Sequence, residues 1–126
     1  MRPCSVLRLQ SPKGETVLAD KAVIARGIIQ RALGLLTHRQ FDLGQALVIP
    51  RCSAIHTFGM RFPIDLVFLQ SEGVVLRVMP RVPPGRLVWT RGAKTVIELP
   101  AGTLERTPVQ PGELIAMSAV TVVNSA

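Results

Sequence analysis

The stretch from residue 55 to residue 69 holds polar side chains whose types and spacing could support chemistry, set within an otherwise apolar run. Histidine is the residue type that ionises near neutral pH, so His56 could transfer a proton or bind a metal ion. Strand alternation would place Cys52, His56 and Phe58 on one face. The other interpretation is a buried histidine whose ring nitrogens bond to backbone groups. Both interpretations stay open on the sequence alone.

Three charged residues in apolar surroundings need an explanation. Arg61 and Asp65 flank the tripeptide around Pro63, and Glu98 lies among the apolar residues 96–100. Burying a carboxylate is costly without hydrogen bonds or a positive partner. We therefore expect Asp65 to hold the turn at Pro63 or to contact a ligand. Glu98 is expected to face solvent or to pair with a buried arginine.

In a catalytic interpretation, His56 is the base of a hydrolase-like enzyme. It would act with Asp65 as the orienting acid or with Cys52 as the thiol nucleophile. The two cysteines and two histidines of the chain lack the paired spacings of zinc fingers and ribbons. The chain also has no phosphate-binding loop and no dinucleotide fingerprint. We predict no metal and no cofactor, and the sequence supplies no recognisable catalytic motif.

The net charge of +7 favours an acidic partner, and a small ligand is the other expected kind of partner. Twelve arginines supply most of the positive charge, but they are spread along the chain, so nucleic-acid binding is a second alternative. Trp89, close to Arg91, is either a cation–π surface or an anchor at the edge of the core. Cys4 and Cys52 are too few for a disulfide framework and are predicted to be reduced thiols.

No apolar run approaches the roughly 20 residues that span a bilayer, and no secretory signal is seen. A soluble, basic, cytoplasmic protein without a transmembrane segment is therefore expected.

The positions of turn residues and apolar runs predict the elements that position these side chains. Residues 5–9 and 16–19 form an opening hairpin, residues 21–25 stay extended, and a short amphipathic helix follows over residues 28–37. Further strands are predicted at 46–49, 64–69, 74–79, 94–99 and 114–123. The proline-rich residues 80–86 are predicted to be a stiff loop.

These elements predict one domain over residues 1–126. Its fold class is α+β and predominantly β, with an antiparallel or mixed sheet forming a compact, partly closed barrel or sandwich and one short helix.

The segment His-Thr-Phe-Gly-Met-Arg-Phe-Pro-Ile-Asp at residues 56–65 resembles the motif of an uncharacterised bacterial and archaeal family, domain of unknown function 192. The segments at residues 73–75 and 96–103 are similar to that family as well, and so are Arg31 with Gly34-Leu35-Leu36 and the Pro-Gly-Glu-Leu at residues 111–114. The resemblance covers about residues 20–120. It implies a small β-rich domain with a partly closed sheet and no established reaction. For family members with this form of the motif, the resemblance also implies an association with bacterial pilus or secretion loci.

The leading hypothesis is a small non-enzymatic binding or accessory domain. Its candidate ligand or partner surface consists of His56, Thr57, Arg61, Asp65, Glu98 and Arg31.

Overall fold

The computed structural model describes residues 5–25 and 41–119, and strands dominate this part of the chain. The strands are β1 (Ser5–Ser11), β2 (Gly14–Ile24), β3 (Gln45–Pro50), β4 (Ala54–His56), β5 (Ile64–Leu69), β6 (Val75–Val82), β7 (Leu87–Trp89), β8 (Thr95–Pro100) and β9 (Leu114–Ala119). One four-residue helix, α1 (Thr103–Arg106), and a 3₁₀ turn (Ser71–Gly73) accompany them. The predicted helix over residues 28–37, and with it Arg31, lies outside the described residues.

Seven strands form one mixed sheet in the order β6-β5-β8-β3-β2-β1-β9. All neighbours in it are antiparallel except β2 and β3, which run parallel. The opening hairpin is confirmed as the β1–β2 pair, and β2 continues to Ile24, as the extended residues 21–25 predicted. Strand β5 has the predicted bounds and is buried at all six positions between β6 and β8.

Two buried apolar clusters occupy the two faces of the large sheet. Alternate residues of β5 separate into them, with Val67 in the first cluster and Leu66 in the second. The first cluster is covered by α1, which contributes Leu104. The second is covered by a separate two-stranded sheet, β4 with β7, which contributes Val88. We call this pair of strands the small sheet.

The large sheet curls until its two edges meet at one corner. Val74 and Leu114 form an isolated antiparallel bridge there, and the Val75 amide donates to the Glu113 carbonyl at 2.8 Å. Gly73 also lies in this corner. The sheet is nevertheless not closed into a barrel, because β6 and β9 remain its edge strands. The predicted α+β, predominantly β fold with a mixed sheet and one short helix is confirmed, and the sheet is not closed into a barrel.

The prediction of a loop over residues 80–86 is wrong for its first residues, because β6 continues through Pro80 to Val82. A proline is tolerated here because β6 is an edge strand, so its missing amide breaks no central ladder. The pairing with β5 is irregular between Ile64 and Leu66, and Arg81 has a φ of 50°. This irregularity is a β-bulge that bends the strand beside Asp65.

Within residues 5–25 and 41–119, the structure holds no helix with the length and apolar character needed to cross a membrane.

Candidate functional site

Asp65 is fully buried and is held by two backbone amides. Its Oδ1 accepts a hydrogen bond from the Arg81 amide at 2.8 Å, and its Oδ2 accepts one from the Leu104 amide at 2.9 Å. These bonds compensate for removing the carboxylate from water. They join the bulge of β6 to the start of α1. The carboxylate therefore braces these two elements rather than the turn at Pro63 that the sequence suggested.

Thr57 is also fully buried and fastens the proline-rich segment after β6. Its Oγ1 donates to the Pro83 carbonyl at 2.7 Å and accepts from the Arg86 amide at 2.9 Å. Its own amide donates to the Arg86 carbonyl at 2.8 Å, and its carbonyl accepts from the Gly85 amide at 3.1 Å. These four bonds set where β7 begins, so Thr57 positions the small sheet.

His56 lies on the solvent side of the small sheet. It pairs in register with Leu87, and its ring stacks on Phe58 with a centroid separation of 5.6 Å. Alternation divides the small sheet into a buried side with Ile55 and Val88 and a solvent side. We call the solvent side, with its neighbour Phe58, the outer face. Its exposed large side chains are His56, Phe58, Leu87 and Trp89.

Cys52 does not share a face with His56, contrary to the expected alternation. The thiol is buried in the second apolar cluster, and its Sγ donates to the Ala54 carbonyl at 3.0 Å. The alternation fails because β4 begins only at Ala54, and the preceding Arg51 has a φ of 53°. Regular strand geometry therefore does not extend back to the cysteine.

Glu98 is buried, with 5% of its surface exposed, in the centre of the large sheet. It lies between Leu47 of β3 and Leu66 of β5, so it shares the face of the second apolar cluster. Burial raises the pKa of its carboxyl group to about 7. The expectation that Glu98 faces solvent is wrong.

The predicted surface residues do not gather at one point. Asp65 is opposite Leu99, on the side of the first apolar cluster, whereas Glu98 is on the other side of the same sheet. His56 lies on the outer face, beyond the second cluster, and Arg61 is exposed between β4 and β5. A catalytic set of His56 with Asp65 is not supported, because the large sheet lies between them. A set of His56 with Cys52 is not supported either, because the thiol is buried in the second apolar cluster whereas His56 lies on the outer face.

No group of three or more potential metal-binding side chains converges within residues 5–25 and 41–119. The structure does contain clefts. One, of about 420 Å³, separates the edge strand β6 from β7, and we call it the arginine cleft. Its lining residues are Arg77, Met79, Pro80, Arg81, Val82, Pro83, Arg86, Leu87, Val88 and Trp89.

A second cleft, of about 520 Å³, lies on the other side of Pro80 and Arg81, next to Asp65. Its walls include Leu104 and Val109, and the salt bridge between Arg81 and Glu105, at 3.0 Å, stands at its rim. Both oxygens of Asp65 are already bonded to amides, so this cleft offers mainly apolar walls.

The sequence pattern did not single out Leu87, Arg77 or Arg86. A signal was present, because the alternation of residues 86–90 puts Leu87 and Trp89 on the face opposite Val88. Trp89 is 60% exposed rather than an anchor at the core edge, and its carbonyl accepts from Arg77 Nη1 at 3.5 Å.

Solved structures with a similar fold include the following two. A protein of Sinorhizobium meliloti, described as a candidate transcription regulator, matches with a TM-score of 0.78 at 23% identity, over 94% of this chain and 96% of that chain. A protein of unknown function from Novosphingobium aromaticivorans matches with a TM-score of 0.76 at 17% identity, over 88% of this chain and 83% of that chain. At these identities the similarity shows a common fold.

No curated protein matches this sequence at a significant level. The sequence profile of the family described as Uncharacterized ACR, domain of unknown function 192, matches residues 9–117. This match spans most of the chain and includes the segment from His56 to Asp65, which confirms the resemblance drawn from the motifs. The protein belongs to the domain of unknown function 192 family.

Proposed function

We propose that this protein is a non-catalytic binding domain whose partner contacts the outer face of the small sheet. The observation that carries the proposal is the joint exposure of three large apolar side chains there. Leu87 is 71% exposed, Trp89 60% and Phe58 53%. Scattered apolar side chains are common on protein surfaces, but a contiguous group marks an interaction site. Leucine, tryptophan and phenylalanine also contribute large contact areas once a partner covers them.

The outer face is held rigidly, which favours binding. Ile55 and Val88 pack the small sheet onto the second apolar cluster, and Thr57 fixes its end through four hydrogen bonds. A surface that is already ordered loses little conformational entropy when a partner binds. Of the residues predicted for the surface, His56 would contact the partner. Thr57 would position the small sheet, and Asp65 would position β6 and α1.

The charge around this face favours an acidic partner. Arg77 and Arg86 are exposed beside β7, and Arg61 is exposed in the turn after β4. Together with the net charge of +7, they would attract a negatively charged partner and raise the rate of encounter. We propose a protein partner rather than a nucleic acid, because the twelve arginines are spread along the chain rather than gathered in one run.

A selection from a phage-displayed random peptide library on the immobilised full chain tests this function. We expect acidic peptides with apolar residues to be enriched. The substitution Leu87→Ser combined with Trp89→Ala should abolish that enrichment, because it removes the two largest exposed groups of β7.

Val17→Ser provides the matched control. Val17 is an exposed apolar residue, at 44%, but it lies on β2, four places from β6 in the sheet order. This variant should enrich the same peptides as the unmodified protein. Failure to enrich any peptide family, or equal enrichment on the double variant, would rule out the proposed surface.

A further inference from the structure

We infer that the partner enters as an extended acidic polypeptide segment that adds a strand to the free edge of β7 inside the arginine cleft. This inference rests on the proposed function and names the chemistry of the partner. Three observations carry it: the edge of β7 that pairs with no strand, the unbalanced positive charge of the cleft, and the apolar residues that line the cleft.

The backbone of β7 has one paired edge and one edge turned towards the cleft. The Thr57 amide bonds to the Arg86 carbonyl, and the Thr90 amide bonds to the Ser53 carbonyl. These hydrogen-bonded pairs lie at the two ends of the ladder. In an antiparallel pair the bonded and non-bonded positions alternate, so the backbone groups of Leu87 and Trp89 point away from β4.

That outward edge faces β6. The Trp89 carbonyl accepts from Arg77 Nη1 of β6 at 3.5 Å, and both strands line the cleft. Backbone N–H and C=O groups at an exposed edge are a template for a further strand, and peptide recognition by strand addition uses such an edge.

The cleft carries positive charge that the protein does not balance. Arg77, Arg81 and Arg86 line it, and no carboxylate does. All eight acidic residues of the chain lie within residues 5–25 and 41–119, and in this part of the chain only Arg8 and Arg81 form salt bridges. Arg81 pairs with Glu105, whereas Arg77 and Arg86 form no salt bridge with any of these acidic residues, and Arg77 Nη1 donates only to the Trp89 carbonyl. Carboxylates are the side chains that guanidinium groups recognise best.

The remaining walls of the cleft suit apolar side chains of such a segment. The cleft has a volume of about 420 Å³, and Met79, Val82 and Val88 supply apolar surface within it. A strand buries alternate side chains on opposite sides, so a segment that alternates acidic and apolar residues would meet both kinds of lining.

Fluorescence anisotropy with a labelled synthetic peptide of alternating glutamate and leucine, about eight residues long, tests the inference. The unmodified chain should bind this peptide. Arg77→Gln with Arg86→Gln should weaken binding by at least about tenfold and reduce its salt dependence, because two charge-assisted bonds are lost. Arg106→Gln, which removes an exposed arginine outside the cleft, is the control and should leave binding within about twofold.

Backbone pairing is tested by two further peptides, each N-methylated at alternate amides. In a strand added to one edge, only alternate amides face the partner strand. One of the two peptides should therefore lose binding and the other should keep it. Equal binding by both, or no binding of the parent peptide, would overturn the inference. Tighter binding of a thymidine oligonucleotide than of the peptide would overturn it in favour of nucleic acid.

The inference and the proposed function fail separately. If library selection still depends on Leu87 and Trp89 while the acidic peptide is insensitive to the arginine substitutions and to N-methylation, strand addition is wrong and the outer face remains the binding surface. If the Leu87 and Trp89 substitutions and the arginine substitutions all leave binding unchanged, both the proposed function and strand addition are wrong.

Discussion

Asp65 and Glu98 are two carboxyl groups buried in the same sheet, and their surroundings differ. Asp65 accepts two backbone hydrogen bonds, whereas burial raises the pKa of Glu98 to about 7. The sequence identified Asp65 as a carboxylate that needs partners, but the partners, Arg81 and Leu104, are distant along the chain. Such long-range pairing cannot be inferred from apolar spacing. Glu98 was misjudged because strand alternation does not distinguish a strand covered on both faces from one with a solvent side.

Asp65→Asn is expected to lower the free energy of unfolding by about 2–4 kcal/mol. The amide oxygen can still accept from one backbone N–H, but the amide nitrogen then opposes the other, which stays buried without an acceptor. Denaturant unfolding followed by circular dichroism measures this change. Asp42→Asn is the control, because Asp42 is exposed, and it should change stability by less than about 0.5 kcal/mol. Equal costs for the two variants would contradict the bracing role.

Glu98 should make the stability fall as the pH rises from about 4.5 to about 7, because its pKa is raised between those values in the folded state. The folded protein then holds a proton that the unfolded chain has already released, so ionising the group favours unfolding. The loss is at most about 3–4 kcal/mol, at roughly 1.4 kcal/mol per pKa unit.

Glu98→Gln removes this titration and should be the more stable protein at about pH 8, with a smaller advantage at about pH 5. Comparing the two unfolding free energies at each pH cancels the titrations that both proteins share. A difference that does not change between these conditions would contradict the account of Glu98.

At the scale of elements, the long strands were predictable and the small sheet was not. An apolar run broken only by Asp65 predicted β5, and proline and glycine in the turn predicted the β1–β2 hairpin. Strands β4 and β7 have three residues each and pair across distant parts of the chain, so neither shows a long periodic pattern. The sequence therefore located the candidate surface at His56 but did not predict β7, the other strand of that surface.

Thr57→Val tests whether Thr57 fastens the small sheet. Valine preserves the shape but removes both side-chain hydrogen bonds, leaving the Arg86 amide and the Pro83 carbonyl without this partner. We expect a loss of about 1–3 kcal/mol and faster hydrogen exchange at the Arg86 amide. Thr57→Ser keeps the hydroxyl and should retain most of the exchange protection. Unchanged exchange at Arg86 in the valine variant would show that the hydroxyl does not hold the segment.

For the whole molecule, the important feature is a sheet whose edges meet at one corner without closing. Gly73 lies there with a φ of +83°, and a Cβ atom at this position would overlap the Ile115 carbonyl oxygen. The corner holds β6 against β9, so it also fixes the strand that forms one wall of the arginine cleft.

Gly73→Ala should therefore destabilise the protein more than Gly85→Ala. Gly85 has the same φ of +83° but nothing within 4 Å of its missing Cβ, so it reports the cost of the backbone conformation alone. That cost is about 1 kcal/mol, and the steric overlap should add at least about another 1 kcal/mol at Gly73. Thermal or denaturant unfolding of both variants measures the difference. Equal losses would show that the corner is open enough to accept a side chain.

The central claim is that the outer face of the small sheet binds the partner. Nitrogen–proton correlation spectra of the full chain, titrated with a peptide enriched in the library selection, test it most directly. The account predicts that the largest shifts occur at the backbone amides of His56, Leu87 and Trp89 and at the Trp89 indole N–H. The β1–β2 hairpin should serve as an unchanged internal reference. Shifts concentrated on that hairpin or on the cleft beside Asp65, with the Trp89 signals unmoved, would contradict the claim.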